Sequence, residues 1–435
     1  MKPKTKFHHT LVEVQKKLPD INEAQLQWAS IECLMHKAVR LKSGKITCLD
    51  CATEWIDKTP LLPVIDNVCP GCNTTVKLVD TRTRVFKDAA YFNIIVDFKG
   101  YQVIRLYMIK GSYSAGKPVD VNCFEVGQIW ITPEGKHGCF GYYAGGFYYS
   151  DQWQGSFELR NETSVSSYNF GVYRIYPKIR TIQKLKRNGF KKSFHGLTPY
   201  NLFKSLLTNS KMETLIKANQ FALLNYFDSS YNKVDDFWSE IKICIRNNYV
   251  VKDASTWADY LGILRFFNRD TRNIKYVCPD NLKKEHDRYV AKKREFDRRE
   301  DLRKKRLKAD EEQAEYVKLK YNYFGLEFTD NELTVKVLES VREFMEEGDV
   351  HGHCVFASSY YKKPESLIFS ARVNGVPIET VEVSLSKLQI VQSRGKGNRA
   401  TEYNTRIRQL ITMNLMEIKK RVKVNKQKLT NVEAA

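Results

Sequence analysis

The chain has 435 residues, 42% hydrophobic and 12% aromatic, too long for one ordinary core and apolar enough to fill several. It carries 71 Lys and Arg against 50 Asp and Glu, a formal charge of +21. It has no run of about 18 apolar residues, which excludes a transmembrane helix and favours polyanionic partners over a membrane.

The first ten residues are basic with no apolar stretch behind them, so no secretory signal is expected. Residues 1–45 read as a helical segment, because Trp28, Ile31, Leu34, Met35 and Val39 recur at spacings of three and four, and Ser43-Gly44 closes it. Residues 46–84 read as a zinc ribbon. Cys48-Leu49-Asp50-Cys51 and Cys69-Pro70-Gly71-Cys72 are separated by seventeen residues. A two-residue gap turns both sulfurs of a pair toward one ion, and four thiolates close a tetrahedral structural Zn²⁺ site. Gly71 is expected to ease the backbone where its amides turn toward the sulfurs. Four of the ten cysteines in such pairs point to a reducing, cytoplasmic setting rather than to disulfides.

Residues 85–180 change to strand patterning. FNIIVDF, YQVIRLYMI, FEVGQIWIT, GFYYSDQW and FGVYRIY are parted by turn residues, as in an antiparallel β-rich domain. Residues 181–280 read as a helical domain, with a helix opened by Thr198-Pro199 and others over 212–227, 234–245 and 257–267. Residues 281–320 form a charged helix or linker in which fifteen basic and ten acidic residues interleave. Residues 321–424 alternate short strands and helices, ending in an amphipathic helix that carries Tyr403, Ile407, Leu410, Ile411 and Ile418. A tail follows at 425–435. The class is therefore multidomain α+β.

Two segments are one-sidedly basic. Residues 163–192 hold eight Lys or Arg and no acid, and residues 387–428 hold twelve against two. Such segments suit the phosphate backbone of DNA or RNA.

The stretch His351-Gly352-His353-Cys354 admits three readings: a nucleophile with its base, part of a metal site, or packing residues and a loop. The residues downstream narrow the choice. Glu347-Gly348, His353-Cys354-Val355, Tyr360-Tyr361-Lys362-Lys363, SLIFSARV from Ser366, Glu379-Thr380-Val381-Glu382-Val383, Gln392-Ser393-Arg394-Gly395 and Asn398 come in an order that closely resembles the PcfJ-like family. The characteristic part covers roughly 321–422, making the last domain a PcfJ-like α+β domain. The resemblance implies association with conjugative plasmids, phages and other mobile elements, and no particular reaction. The chain departs from the pattern at Asn404, after Glu402-Tyr403, where a histidine is expected.

Residues 366–373, 378–385 and 387–393 read as consecutive strands, with Thr380, Glu382 and Ser384 on the face opposite Val381 and Val383. On that polar face Arg372, Glu382 and Gln392 are expected to converge beside His353, with carboxylate and guanidinium compensating each other. The group is then a structural knot, a pocket for an anion or nucleotide, or a catalytic site with candidates His353, Cys354 and Glu382. The candidate binding residues are Arg372, Gln392, Arg394, Lys396, Asn398 and Arg399. The last five lie in a segment with glycines between basic residues, where backbone amides before a helix can hold phosphate. Cys354, beside Val355 and Phe356, is expected at the start of a buried element and slow to alkylate. The function expected is a zinc-containing accessory protein that binds nucleic acid. The alternatives are an enzyme of unknown reaction and a scaffold that docks protein partners through its aromatic β-region.

Overall fold

The computed structural model describes residues 2–56, 66–81, 83, 85–114, 116–144, 153–161, 174–229 and 233–422. The chain is multidomain α+β and divides into two compact units, 1–287 and 288–435.

In the first unit, helices Lys6–Gln15 and Glu23–Cys33 precede a five-stranded sheet made of β1 (Lys37–Arg40), β2 (Lys45–Cys48), β3 (Glu54–Ile56), β4 (Asp66–Val68) and β5 (Thr75–Asp80). Its order is β3-β2-β1-β5-β4. Val39 thus lies in a strand, although its spacing pointed to a helix. The reason is the turn: the Gly44 amide donates to the Leu41 carbonyl, Leu41 donates to Lys45, and Gly44 takes φ +81°. Ser43-Gly44 closes a hairpin rather than a helix.

A six-stranded sheet follows, built from β6 (Val85–Phe98), β7 (Tyr101–Ser114), β8 (Asp120–Ile131), β9 (His137–Ala144), β10 (Trp153–Arg160) and β11 (Arg174–Ile175). Strands β6 to β10 form an antiparallel meander, and β11 returns parallel to β6. Both N-terminal helices cover this sheet, with Leu11 and Ala29 packed beside Phe92, Tyr107 and Trp130. The first three expected strands lie in β6, β7 and β8. Most of GFYYSDQW and the start of FGVYRIY fall outside the described residues, as does the first part of the basic segment 163–192. Short helices complete the unit. The helix expected over 212–227 is two, Ser210–Lys217 and Phe221–Ser229, parted by Asn219 at φ +56°.

The second unit is a three-layer arrangement. Its sheet, β12 (Glu327–Asp330), β13 (Leu333–Val337), β14 (Ser366–Val373), β15 (Val376–Ser384) and β16 (Gln389–Arg394), is antiparallel in sequence order. Asn374 and Gly375, both at positive φ, make the tight turn between β14 and β15. One sheet face packs Val335, Phe369, Val381 and Val383 against Ile407 and Ile411 of helix Asn404–Met413. The other meets helix Val341–His351, which starts at a capping box of Ser340 and Glu343. The long helix Leu282–Lys320 is half-covered in its last turns, where Ala309 and Tyr316 pack beside Val341 and Phe344. Several of its charges pair within the helix, for instance Arg298 and Arg299 with Glu295. The tail at 425–435 lies outside the described residues.

Candidate functional site

Two constellations carry chemistry. In the first, the four thiols of Cys48, Cys51, Cys69 and Cys72 lie within 4.8 Å of one another. The two pairs are built alike. The Cys48 amide donates to the Thr53 carbonyl and the Ala52 amide to the Cys48 carbonyl; Cys69, Thr74 and Asn73 repeat both bonds. Ala52 and Asn73, each just after a pair, take φ +65° and +55°. The repeated unit is therefore C-x-x-C-x-T, and its threonines are a signal that the cysteine spacing alone does not use. Gly71 is needed for a different reason from the one expected. Its φ is ordinary, but a Cβ there would collide with the Thr53 hydroxyl.

Burial pushes the Cys48 thiol up. Burial opposes ionisation of Cys51 as well, but hydrogen bonds to the Thr53 side chain and backbone bring it down to about 7. Four sulfurs converging on one point, on a small sheet whose described core beside them is Ala38, Ile46, Val76 and Leu78, fit a bound metal ion.

The second constellation lies on the helix-covered face of the C-terminal sheet. Register sets it out in two rungs across three strands: Ser370–Thr380–Arg394 and Ile368–Glu382–Gln392. Above them stands the chain that leaves helix Val341–His351. Gly352 takes φ +66° and its amide closes the helix on the Gly348 carbonyl. That reversal explains the HGHC stretch. His351 stays buried on the helix, His353 turns back over the sheet, and Cys354 is exposed. The expectation that Cys354 begins a buried element is corrected here, since burial starts at Val355 and Phe356.

His353, Cys354, Glu382, Gln392, Arg394 and Asn398 line one open cavity of about 330 Å³, together with Thr380, Tyr360, Val355 and Ile368. The other candidates lie outside its lining. Arg372 binds Ser370 Oγ at 3.2 Å, two residues along the strand, and forms no ion pair with Glu382 among the described residues. Instead Ser366 Oγ donates to one Glu382 oxygen at 2.6 Å, and Gln392 Nε2 to the other at 3.0 Å. Lys396 and Arg399 are exposed beside the rim. The glycine segment does not run straight into a helix, which begins only at Asn404, and the Gly395 amide is spent on the Arg399 carbonyl at 2.7 Å. Gly395 is required because a Cβ would strike the Ile378 carbonyl.

Glu347 entered the sequence reading only as part of the family series, with no role at the site. It is 2% exposed and accepts the Thr380 hydroxyl at 2.9 Å. Thr380 has one proton to give, so His353 Nε2, at 2.8 Å, donates to it. Burial holds His353 below its ordinary value, and neighbouring His351 adds to the effect. His351 Nε2 is buried without a hydrogen-bond partner among the described residues, 3.4 Å from Glu347. On the opposite face Glu379, fully buried, accepts Thr401 N and Oγ1 at 2.6 Å each, Asn404 Nδ2 at 2.7 Å and the Ser393 hydroxyl. Asn404, where the family pattern suggested histidine, is thus a ligand of this carboxylate. These partners are 14 to 25 residues from Glu379. Only the alternation of β15 hinted that Glu379 and Glu382 part company.

Among known proteins, the family model described as PcfJ-like protein matches residues 256–408. No curated protein and no solved structure matches the chain. Among the described residues, no helix is long and apolar enough to cross a membrane.

Proposed function

From the match of residues 256–408 to the PcfJ-like family model, we propose that the chain is a cytoplasmic accessory protein of a mobile genetic element that binds nucleic acid. The contact surface is the C-terminal unit. The observation that carries this reading is a set of uncompensated cations. Lys387, Arg394, Lys396, Arg399, Arg408 and Lys419 are exposed and make no ion pair among the described residues. The long helix carries as much positive charge, but there many of the cations sit three or four residues from a carboxylate that binds them. Unpaired Lys and Arg release counterions when they meet a phosphate backbone.

The N-terminal quartet, in the same reading, holds one structural Zn²⁺, with no coordination position left for a reaction. Cys48, Cys51, Cys69 and Cys72 would be its ligands, and the ion would supply folding energy that the small sheet core lacks.

Binding of DNA or RNA is tested by its salt dependence. Affinity should fall with log salt at a slope of about 0.9 per duplex phosphate contacted, or about 0.7 per phosphate of a single strand. Replacing Lys396, Arg399, Arg408 and Lys419 together by Ala should flatten that slope. Affinity that is absent at low salt, or a slope that these changes leave alone, removes the C-terminal unit from the interface.

A further inference from the structure

Glu382 is a carboxylate only 8% exposed, and both of its hydrogen-bond donors are neutral. No Lys, Arg or His pairs with it among the described residues. An ionised carboxylate offers about four acceptor sites, so two remain, and they belong to a group that lines open space. A buried charge left in this state is costly unless something that fills the space completes it. What completes it must bring N–H donors. On the next rung of the same face stands Arg394, exposed and without an ion pair among the described residues, which calls for an anion. Val355 and Ile368 supply apolar wall to the same cavity, and Asn398 adds an amide at the rim. The ligand therefore carries N–H groups toward Glu382, negative charge toward Arg394 and some apolar surface, in a volume of about 330 Å³.

We propose that this cavity receives one unstacked nucleotide of a single strand, with the amino edge of its base on Glu382 and Gln392 and its phosphate on Arg394. The choice of a nucleotide rests on the nucleic-acid reading above; the demand for N–H donors rests on Glu382 alone. Cytosine, adenine and guanine each bring an exocyclic amino group. Thymine and uracil have a single ring N–H flanked by two carbonyl oxygens, which the carboxylate repels. A carboxylate accepting from an amino group is a recognised base contact, and misplaced acceptors in a desolvated site weaken binding steeply. Amino-bearing bases should therefore bind about tenfold more tightly, the scale of one good base contact.

The test is fluorescence anisotropy with fluorescently labelled single-stranded homopolymers of dA, dC and dT across a salt series, with CMP and UMP measured by calorimetry. Wild-type protein should prefer dA and dC over dT, and CMP over UMP. Glu382→Gln should erase the preference and leave the salt slope unchanged, because the basic rim is intact. Should Glu382→Gln fail to fold, Glu382→Ala, which removes the acceptor and leaves the Ser366 and Gln392 side chains facing open space, serves in its place. Equal affinity for all bases, or a preference that survives both variants, overturns the proposal while salt-dependent binding leaves the broader reading standing. Selective binding of CMP without salt-dependent strand binding does the reverse. Binding of neither strand nor mononucleotide overturns both.

Discussion

Glu379 and Glu382 stand three residues apart on β15 and face opposite sides of one sheet. Beneath Glu379 lies helix Asn404–Met413, and the turn before it brings backbone and side-chain donors until both oxygens are taken. Above Glu382 the chain leaving helix Val341–His351 arches away and leaves a cavity. Both carboxylates are buried and, among the described residues, neither has a cation. What separates them is closure. A carboxylate whose acceptor sites are filled by its own chain is part of the fold, and one left with vacant sites beside open space is addressed to a ligand. The cysteine quartet is the extreme of the closed kind, four donors converging on a single point.

Closed sites should fail as folds. The largest effect is expected from Cys48→Ser or Cys72→Ser. If the quartet holds one metal ion per chain, as proposed, either should abolish it in elemental analysis and withdraw on the order of 10 kcal/mol of metal-derived folding free energy from the small sheet. Proteolysis should then cut within residues 37–80. A folded, reduced protein that carries no metal would break the comparison at its strongest point.

Next comes Glu379→Ala, which strands the Ser393, Thr401 and Asn404 donors inside the unit. At about 1–3 kcal/mol for each unsatisfied buried group, urea unfolding of the C-terminal unit should shift by at least about 3 kcal/mol. Asn404→Ala should show a smaller part of the same loss, and Asn404→His should avoid much of it, since an imidazole can also donate to the carboxylate. A Glu379→Ala protein as stable as wild type would mean that closure is not what holds this face.

How much of this was readable beforehand follows from sequence distance. The quartet was legible because a metal imposes a fixed local spacing, and the alternation in β14 and β15 correctly set Thr380 and Glu382 opposite Val381 and Val383. The pairing of Arg372 with Glu382 was not realised. Strand alternation reports a face, whereas contact depends on register, and register puts Ile368 rather than Arg372 opposite Glu382. The Glu347–Thr380–His353 chain joins residues 27 and 33 apart, through a helix end whose reversal at Gly352 no periodicity reveals. Val39 was misassigned because three- and four-residue spacing over a short segment also fits a helix followed by a strand.

On the open side, His353 should make the unit sensitive to acid. Burial, with His351 second, holds its folded pKa below the ordinary 6.5. The unfolded chain therefore takes up the proton first, and the stability due to neutral His353 is complete above about pH 6.5 and lost as the pH falls below that value. His353→Gln, which can still donate to Thr380, should flatten the pH dependence of urea unfolding between pH 7 and 5. A curve unchanged by the substitution would assign the acid sensitivity to other groups.

The smallest effect on the fold is expected at Cys354, and it separates the two kinds of site most directly. Its thiol is exposed at the cavity mouth, while those of Cys48 and Cys69 are buried in the quartet. Cys354→Ala should change stability by less than about 0.5 kcal/mol, as at other surface positions without special contacts. Alkylation, followed residue by residue by mass spectrometry, should modify Cys354 in the native protein at a rate close to that in denaturant and leave Cys48 and Cys69 protected. Exposure alone accounts for that speed, so rapid modification is no evidence of a nucleophile. Catalysis by Cys354 would require in addition that Cys354→Ala abolish a turnover which Cys354→Ser partly restores. Modification that blocks mononucleotide binding, while Cys354→Ala still binds, identifies the thiol as a bystander at the door of an open site. Slow native modification would instead mean that the arch over β15 closes, and the two faces of the sheet would be less different than their hydrogen bonds make them.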